Sequence, residues 1–398
     1  MTIQQGQNYV VGYKAQPGLG SPASGAGGTG MRFNEGSQGF EFNRTQIANP
    51  ESRADGVSSK DRLGSGRSPG TFAQTLCVGE PNTLIEALLR GTFVAETTIT
   101  QAAMTSITTT TSTIVAAAGS WLTQGVRKGD KVKLTGHSTV ANNGKWFRVL
   151  DVSALTITVP TNSLTADGVA DTSFSLMVAK TCINGNPPVE RYATWDQYNR
   201  DIDLSELFTD VKVCKLELSA QPDGNVILTW TFLGLAGMEQ AAGSSPVLTS
   251  PTYTTTLPLV FSDGVIRVGG VDYNVMTSFS FVYDLGGEAR ATNALNPPDV
   301  TLMNAKLSGS FAVQKQDTAF FAAARQETKV EIWADFIETN DVDPKDFASF
   351  YVGNATLQKA SGPLGGTGPA EVTVPWFAGK DEAGGASAAT LLKYSTSV

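Results

Sequence analysis

The chain has 398 residues, 41% of them hydrophobic and only 17% charged, with a formal net charge of -8. That length supports about two or three compact units with real cores, under a surface left largely to Thr, Ser, Asn, Gln and Gly. The acidic balance argues against a protein that grips phosphate through a basic stripe, and Cys77, Cys182 and Cys214, scattered and without CxxC spacing, argue against a disulfide framework or zinc site and read as free buried thiols.

Met1 to Gly20 has no basic stretch followed by an apolar run, and no segment approaches about 18 consecutive apolar residues. The expectation is a soluble chain made in a cytoplasm, without a signal peptide and without a membrane partner. Residues 1–38 are rich in Gly, Ser, Ala and Pro and include Gly25-Ala26-Gly27-Gly28-Thr29-Gly30. Such a segment cannot offset its own conformational entropy, so it reads as an N-terminal arm that becomes ordered on a neighbour.

Phe40 and Phe42 alternate with Glu41 and Asn43 in a short half-buried strand. A polar loop runs from Asn49 to Pro69, and Thr71–Val78 is the next strand. Glu80-Pro81-Asn82-Thr83 starts a helix carrying Leu84, Ile85, Ala87, Leu88 and Leu89 at helical spacing, and Gly91 stops it. Residues 104–179 then become Thr-rich. Short strands at Ser112–Ala117, Lys131–Thr135, Lys145–Val152, Leu155–Val159 and Phe174–Val178 are divided by turns such as Asn142-Asn143-Gly144, the pattern of a small all-β module.

The main domain resumes with Val189–Trp195, Val211–Ser219 and Val226–Leu233, the last two joined by the hairpin turn Gln221-Pro222-Asp223-Gly224. A linker rich in Ser, Thr and Pro spans Gly243 to Pro258. Strands follow at Val265–Val268, Tyr273–Tyr283 and Lys306–Val313, then a helix near Asp317–Arg325 and a strand at Lys329–Phe336. Long strands with one helix after each set suggest two related halves. The domain reading is therefore 39–103 with 180–380 as one split domain, 104–179 as an inserted module, and 381–398 as a C-terminal tail.

Catalytic chemistry finds little support. His137 is the only histidine and sits in Gly136-His137-Ser138, an exposed turn, and no GxSxG elbow surrounds a serine. Asp196, Asp201, Asp203, Glu206 and Asp210 cluster without a calcium-loop pattern and read first as a solvated loop. Glu338, Asp341, Asp343 and Asp346 receive the same reading, with Asp343 before Pro344 as a helix N-cap. The runs Gly25–Gly30 and Gly362–Gly368 lack the Lys-Ser/Thr of a phosphate loop and read as linkers. Trp230 with Phe232, and Phe279 with Phe281, repeat at period two and read as core. No cofactor and no metal is implied.

Three stretches resemble the tail tube proteins of long-tailed, siphovirus-type bacteriophages. One is Ser65-Gly66-Arg67-Ser68-Pro69-Gly70-Thr71-Phe72 followed by Leu84-Ile85-Glu86-Ala87-Leu88-Leu89-Arg90-Gly91-Thr92-Phe93. A second is Gly119–Leu134 with Asn142-Asn143-Gly144-Lys145-Trp146-Phe147-Arg148-Val149, similar to an accessory module carried by many such proteins. The third is Phe279 to Phe311, ending Leu307-Ser308-Gly309-Ser310-Phe311 and resembling the closing hairpin of the tube domain. The arm and the Gly243–Pro258 linker match nothing in that family.

The resemblance implies a mainly β fold: a tail-tube β-sandwich or barrel with one or two short helices and long hairpins, plus the inserted β module. It also implies a structural virion protein, not an enzyme, assembled in the host cytoplasm as stacked homo-oligomeric, hexameric rings around a channel. Its partners would be itself and the terminator, tape measure and distal tail proteins, with DNA passing through the lumen unbound during genome ejection. Lys212, Lys215, Glu217, Asp223, Arg267 and Glu288 are the candidate lumen or ring contacts. The rival reading is a tail-tip or surface carbohydrate-binding β module using Trp121, Trp146 and Phe147, with a polysaccharide hydrolase third.

Overall fold

The computed structural model describes residues 8–239, 246–314, 319–338, 343–359, 361, 371–381 and 391–398. The fold is mainly β, built from antiparallel sheets that, among the described residues, do not close into a barrel. Its spine is Leu204–Ala220, a strand long enough to serve two neighbourhoods. The first half pairs with Ala193–Asn199 and Ala236–Glu239, the second with Ile227–Gly234 and Met276–Asp284. From there one sheet runs outward to Arg62–Thr75 on one side and to Lys306–Gln314, then Glu371–Ala378, on the other. A second layer of Gly264–Val268, Lys329–Ile337, Phe347–Leu357, Lys393–Thr396 and Lys180–Ile183 closes over its inner face.

Between the layers lies one apolar core. Strand alternation sends Leu216 and Leu218, Leu228, Trp230 and Phe232, Phe279 and Phe281, and Phe311 inward to meet Ile332, Ala334 and Phe336. The aromatic pairs expected in the core are there. The helix Asn82–Leu89 buries Leu84, Ile85, Leu88 and Leu89 on the same core and ends at Arg90 in the left-handed region. A second helix, Ala319–Arg325, follows the Lys306–Gln314 strand. The turn at Asp223 has φ of 55°, and Gly224 N–H donates to Gln221 O at 3.2 Å, as the hairpin reading requires.

Two terminal readings need correction. The segment taken as an arm contains the strand Tyr9–Ala15, paired over its whole length with Ala193–Asn199. Val11 and Tyr13 alternate into the core, and Tyr13 stacks on Trp195 at 4.7 Å. The Gly-rich stretch behind it finds its hydrogen bonds in the Ser/Thr/Pro-rich linker: Gly25 N–H to Val247 O, Gly30 N–H to Thr252 O, and Thr252 N–H to Gly28 O. Two segments that look unstructured by composition satisfy one another. The C-terminal stretch likewise supplies Lys393–Thr396, a buried strand between Lys180–Ile183 and Phe347–Leu357.

The inserted region has its own core, from Ile99 to Val178, with Trp121 at its centre. A five-stranded sheet (Asp151–Val152, Thr156–Thr158, Thr113–Ala116, Ile107–Thr109, Asp167–Asp171) faces a four-stranded one (Thr97–Thr100, Ser175–Val178, Lys131–Thr135, Trp146–Arg148). Its first strand pairs with its last, Thr97 opposite Val178, so the unit begins before residue 104. His137 is a further correction: it is buried, because Asp171 draws the loop inward by accepting Ser138 N–H at 2.6 Å. Its Nδ1 accepts the Thr139 N–H at 3.1 Å. No helix follows Asp343; the chain bends and enters Phe347–Leu357 directly. Asp341 and Gly362–Gly368 lie outside the described residues.

Candidate assembly surface

The sheet that carries Leu204–Ala220 turns its other face to solvent, and most side chains there are small, with Phe377 opposite Ser308 the large exception. Thr71 and Ala73, Thr229 and Thr231, Ser219, Ser278 and Ser280, Ser308 and Ser310, and Thr373 all project outward. Ser280 and Ser310 hydroxyls meet across strands at 3.1 Å. Two of the cations on this face are matched by a carboxylate. Lys215 is ion-paired with Glu217 and stands opposite Asp284, which also faces Lys306 across the next ladder. Glu371 adds a further negative charge at the far strand. A surface mostly of hydroxyls and methyls, with the exposed Arg67 and Phe377 as isolated exceptions, offers no continuous basic stripe to grip phosphate.

The opposite side of the sandwich is covered. The insert packs on the outer face of Lys329–Ile337 and Phe347–Leu357, where Lys131 meets Asp335 at 2.6 Å with both side chains almost fully buried. Lys131 also lies over the Phe347 ring at 4.2 Å. Lys128–Glu331 at 2.7 Å, Arg148–Asp272 at 2.9 Å and the buried Lys393–Asp130 pair complete the contact. Trp146 packs edge-on against Phe347 at 5.2 Å, and Trp121 is fully buried. The aromatics proposed for stacking on sugar are therefore used in packing, Phe147 included.

The sheet's lateral margins are less finished. Asn43–Ile47 pairs only with the first part of Arg62–Thr75, and all five of its residues are exposed. Ile47 and Leu63 stand in solvent on this two-stranded ribbon, which is marginal without something to pack on.

The six sequence candidates do not form one site. Lys215 and Glu217 lie on the hydroxyl-rich face, and Asp223 sits at the exposed tip of its hairpin. Glu288 pairs with Arg290 at 3.2 Å on the surface, and Arg267 pairs at 3.2 Å with Asp272, the carboxylate that also holds Arg148 of the insert. Lys212 drops out as a surface contact. It is buried, held by Glu190 at 2.9 Å, Asp299 at 3.2 Å and the Val300 carbonyl at 2.8 Å. A β-bulge between Val213 and Lys215 puts Lys212, opposite Leu233, on the same face as Lys215, opposite Thr231, but there the Ala289 and Val300 strands cover it.

The acidic cluster fastens loops: Asp196 accepts from Ser205 and from Leu248 N–H, Asp203 from Tyr198, and Asp210 from Gln16 and Gly20 N–H. Sequence reasoning overlooked the serines and threonines of the open face, although their period-two alternation with core residues was the available signal. It also missed Phe347–Leu357 and Glu371–Ala378, the strands that extend the sheet.

An antiparallel sandwich with a smooth polar face, a covered back and open margins defines a structural subunit. The match to the family model described as phage tail tube protein spans residues 6–378, and the chain belongs to that family. A search of curated proteins returned no match. The protein is thus a structural component of a phage tail.

Proposed function

We propose that the chain forms the wall of the tail tube by assembling into homo-oligomeric rings that stack axially, with the Ser/Thr-rich face lining a channel for DNA. The single observation that carries this reading is that face: Lys215 and Lys306 both adjoin Asp284 and Arg67 stands apart from them, so a polyanion meets mostly small hydroxyls rather than a counterion-releasing stripe. The insert, on the far side of the core, then decorates the outside of the tube. Lateral contacts use strand edges, and the Asn43–Ile47 ribbon reaches an adjacent subunit. Terminator, tape measure and distal tail proteins are the partners at the ends and within the bore.

Concentrated purified protein examined by negative-stain electron microscopy tests the reading. Rings or tubes roughly 100 Å wide are expected from about six such domains. A population that stays monomeric at all concentrations, or that turns over a polysaccharide, refutes it.

A further inference from the structure

Two sets of strands in this chain follow one plan. The first runs from the Gln38–Phe42 segment to Arg62–Thr75, Ile227–Gly234, Leu204–Ala220 and Ala193–Asn199. The second runs from Met276–Asp284 to Lys306–Gln314, Glu371–Ala378, Phe347–Leu357 and Lys329–Ile337. Neighbour follows neighbour in the same antiparallel order, and each set has a helix after its second strand.

Local details agree. Gly70-Thr71-Phe72-Ala73 corresponds to Gly309-Ser310-Phe311-Ala312. Gly70 lies between Phe40 and Phe232, and Gly309 lies between Phe281 and Trp376. A bulge falls at the same place in both. The step from Ala193↔Val211 to Trp195↔Phe208 is repeated from Val330↔Ala355 to Ile332↔Val352.

The two sets are joined in a defined way. Lys215–Ala220 of the first pairs with Phe279–Asp284 of the second, so the units form one sheet. Carried onto the two margins, the same junction has two halves that no strand of this chain fills. Gln38–Asn43 corresponds to Phe279–Asp284, and Ser361, opposite Thr373, corresponds to Glu217, opposite Thr229.

Phe281 has Leu218 as its outer neighbour, whereas the outer side of Phe40 is occupied by a side chain. Gln197 accepts the Phe40 N–H at 2.7 Å and donates to its carbonyl at 3.2 Å, an amide standing where a strand would be. At the matching position the second set has Ala334.

We propose that the chain is a tandem duplication of one tube unit, and that the edge at Lys359 and Ser361 pairs with Gln38–Asn43 of the next copy. A ring then closes with three chains presenting six units, rather than with six chains. This inference rests on the tube reading above. Each chain contributes eight strand positions to the continuous sheet: Gln38–Asn43, Arg62–Thr75, Ile227–Gly234 and Leu204–Ala220 from the first set, and Met276–Asp284, Lys306–Gln314, Glu371–Ala378 and the Ser361 edge from the second. At about 4.8 Å between strands, three chains give a backbone circumference of about 115 Å and a diameter of about 37 Å, which strand tilt widens. That clears duplex DNA after side chains are allowed for. Two chains would leave about 24 Å of backbone diameter, too little, and six would double the three-chain bore.

The test is the double variant Glu41→Cys/Ser361→Cys, a pair placed in register by the Glu217↔Val282 precedent and therefore within disulfide reach. The native thiols do not interfere, since burial pushes Cys77 up to about 11 and Cys182 and Cys214 up to about 12. Mild oxidation of assembled protein should give a covalent ladder that ends at three chains on a non-reducing gel, with neither single variant cross-linking. Native mass spectrometry should find rings of about 126 kDa, three times the 41.9 kDa chain. Rings of about 251 kDa with a ladder to six overturn the three-chain closure while leaving the tube reading intact. Rings that form without cross-linking overturn the proposed edge. A chain that never assembles overturns the tube reading and this inference with it.

Discussion

Removing the carboxylate of Asp335 should loosen the insert from the sandwich more than removing either partner of the exposed pairs on that contact. Lys131 and Asp335 meet at 2.6 Å with side-chain exposures of 1% and 2%. Burial pushes the Lys131 ammonium below its ordinary value of 10.5, and Asp335 only partly offsets this. Asp335→Ala leaves that ammonium buried and unpaired, a change that costs about 3–5 kcal/mol.

The neighbouring Lys128–Glu331 and Arg148–Asp272 pairs are more exposed and contribute about 0–1 kcal/mol each, so they cannot compensate. Urea unfolding of unassembled protein measures the loss, and protease release of the insert locates it. In the variant the unfolded chain carries a proton that the folded chain sheds, so stability rises with pH up to the unfolded value of 10.5. The double replacement Lys131→Met/Asp335→Leu should restore most of the stability, because Asp335 Oδ1 has no hydrogen-bond partner and the pair is imperfectly satisfied. A loss below about 1 kcal/mol for Asp335→Ala, or a double variant no better than the single one, refutes this account.

Three more outcomes are expected. Asp171 is partly opposed by burial, but bonds from Ser173 and Ser138 N–H hold its carboxyl below the ordinary 3.8. Its stabilisation is present at neutral pH and lost as pH falls below that value; Asp171→Asn should cost about 1.5–3 kcal/mol at pH 7 and flatten the acid limb of insert unfolding followed by tryptophan fluorescence. Gly309→Val places a Cβ 2.3 Å from Ser280 O and 2.5 Å from the Trp376 ring, so it should lower stability by about 1–3 kcal/mol or more in thermal denaturation; an unchanged melting temperature contradicts the packing described. Thr229→Lys/Thr231→Lys adds cations to the hydroxyl-rich face, and phage carrying it should eject DNA more slowly at low salt than at high salt; salt-independent ejection at the parental rate would show that this face does not meet DNA.

Much of the architecture was legible because it follows local rules. Period-two alternation at Val226–Leu233 and Lys306–Val313, helical spacing at Leu84–Leu89 and the Pro222-Asp223-Gly224 turn need only adjacent residues to declare themselves. The insert announced itself through a change in composition and a rhythm of short strands. Composition also supplied the acidic, weakly charged surface that excluded a phosphate-gripping role.

What sequence could not decide depends on partners distant along the chain. Tyr9–Ala15 became a strand because Ala193–Asn199 offered an edge and Trp195 a ring to stack on. Lys212 and Lys215 look alike in the sequence and share a face, yet the segment carrying Asp299 and Val300 folds over one and leaves the other on the surface. His137 was buried by a carboxylate 34 positions away in number, Asp171, acting through the backbone of Ser138. The sequence by itself determined the strands whose alternation is strictly local and which of their side chains faced a core. Only the tertiary structure decided which strands met, because an edge's free N–H and C=O groups accept any strand of suitable pleat and the choice is made by long-range packing.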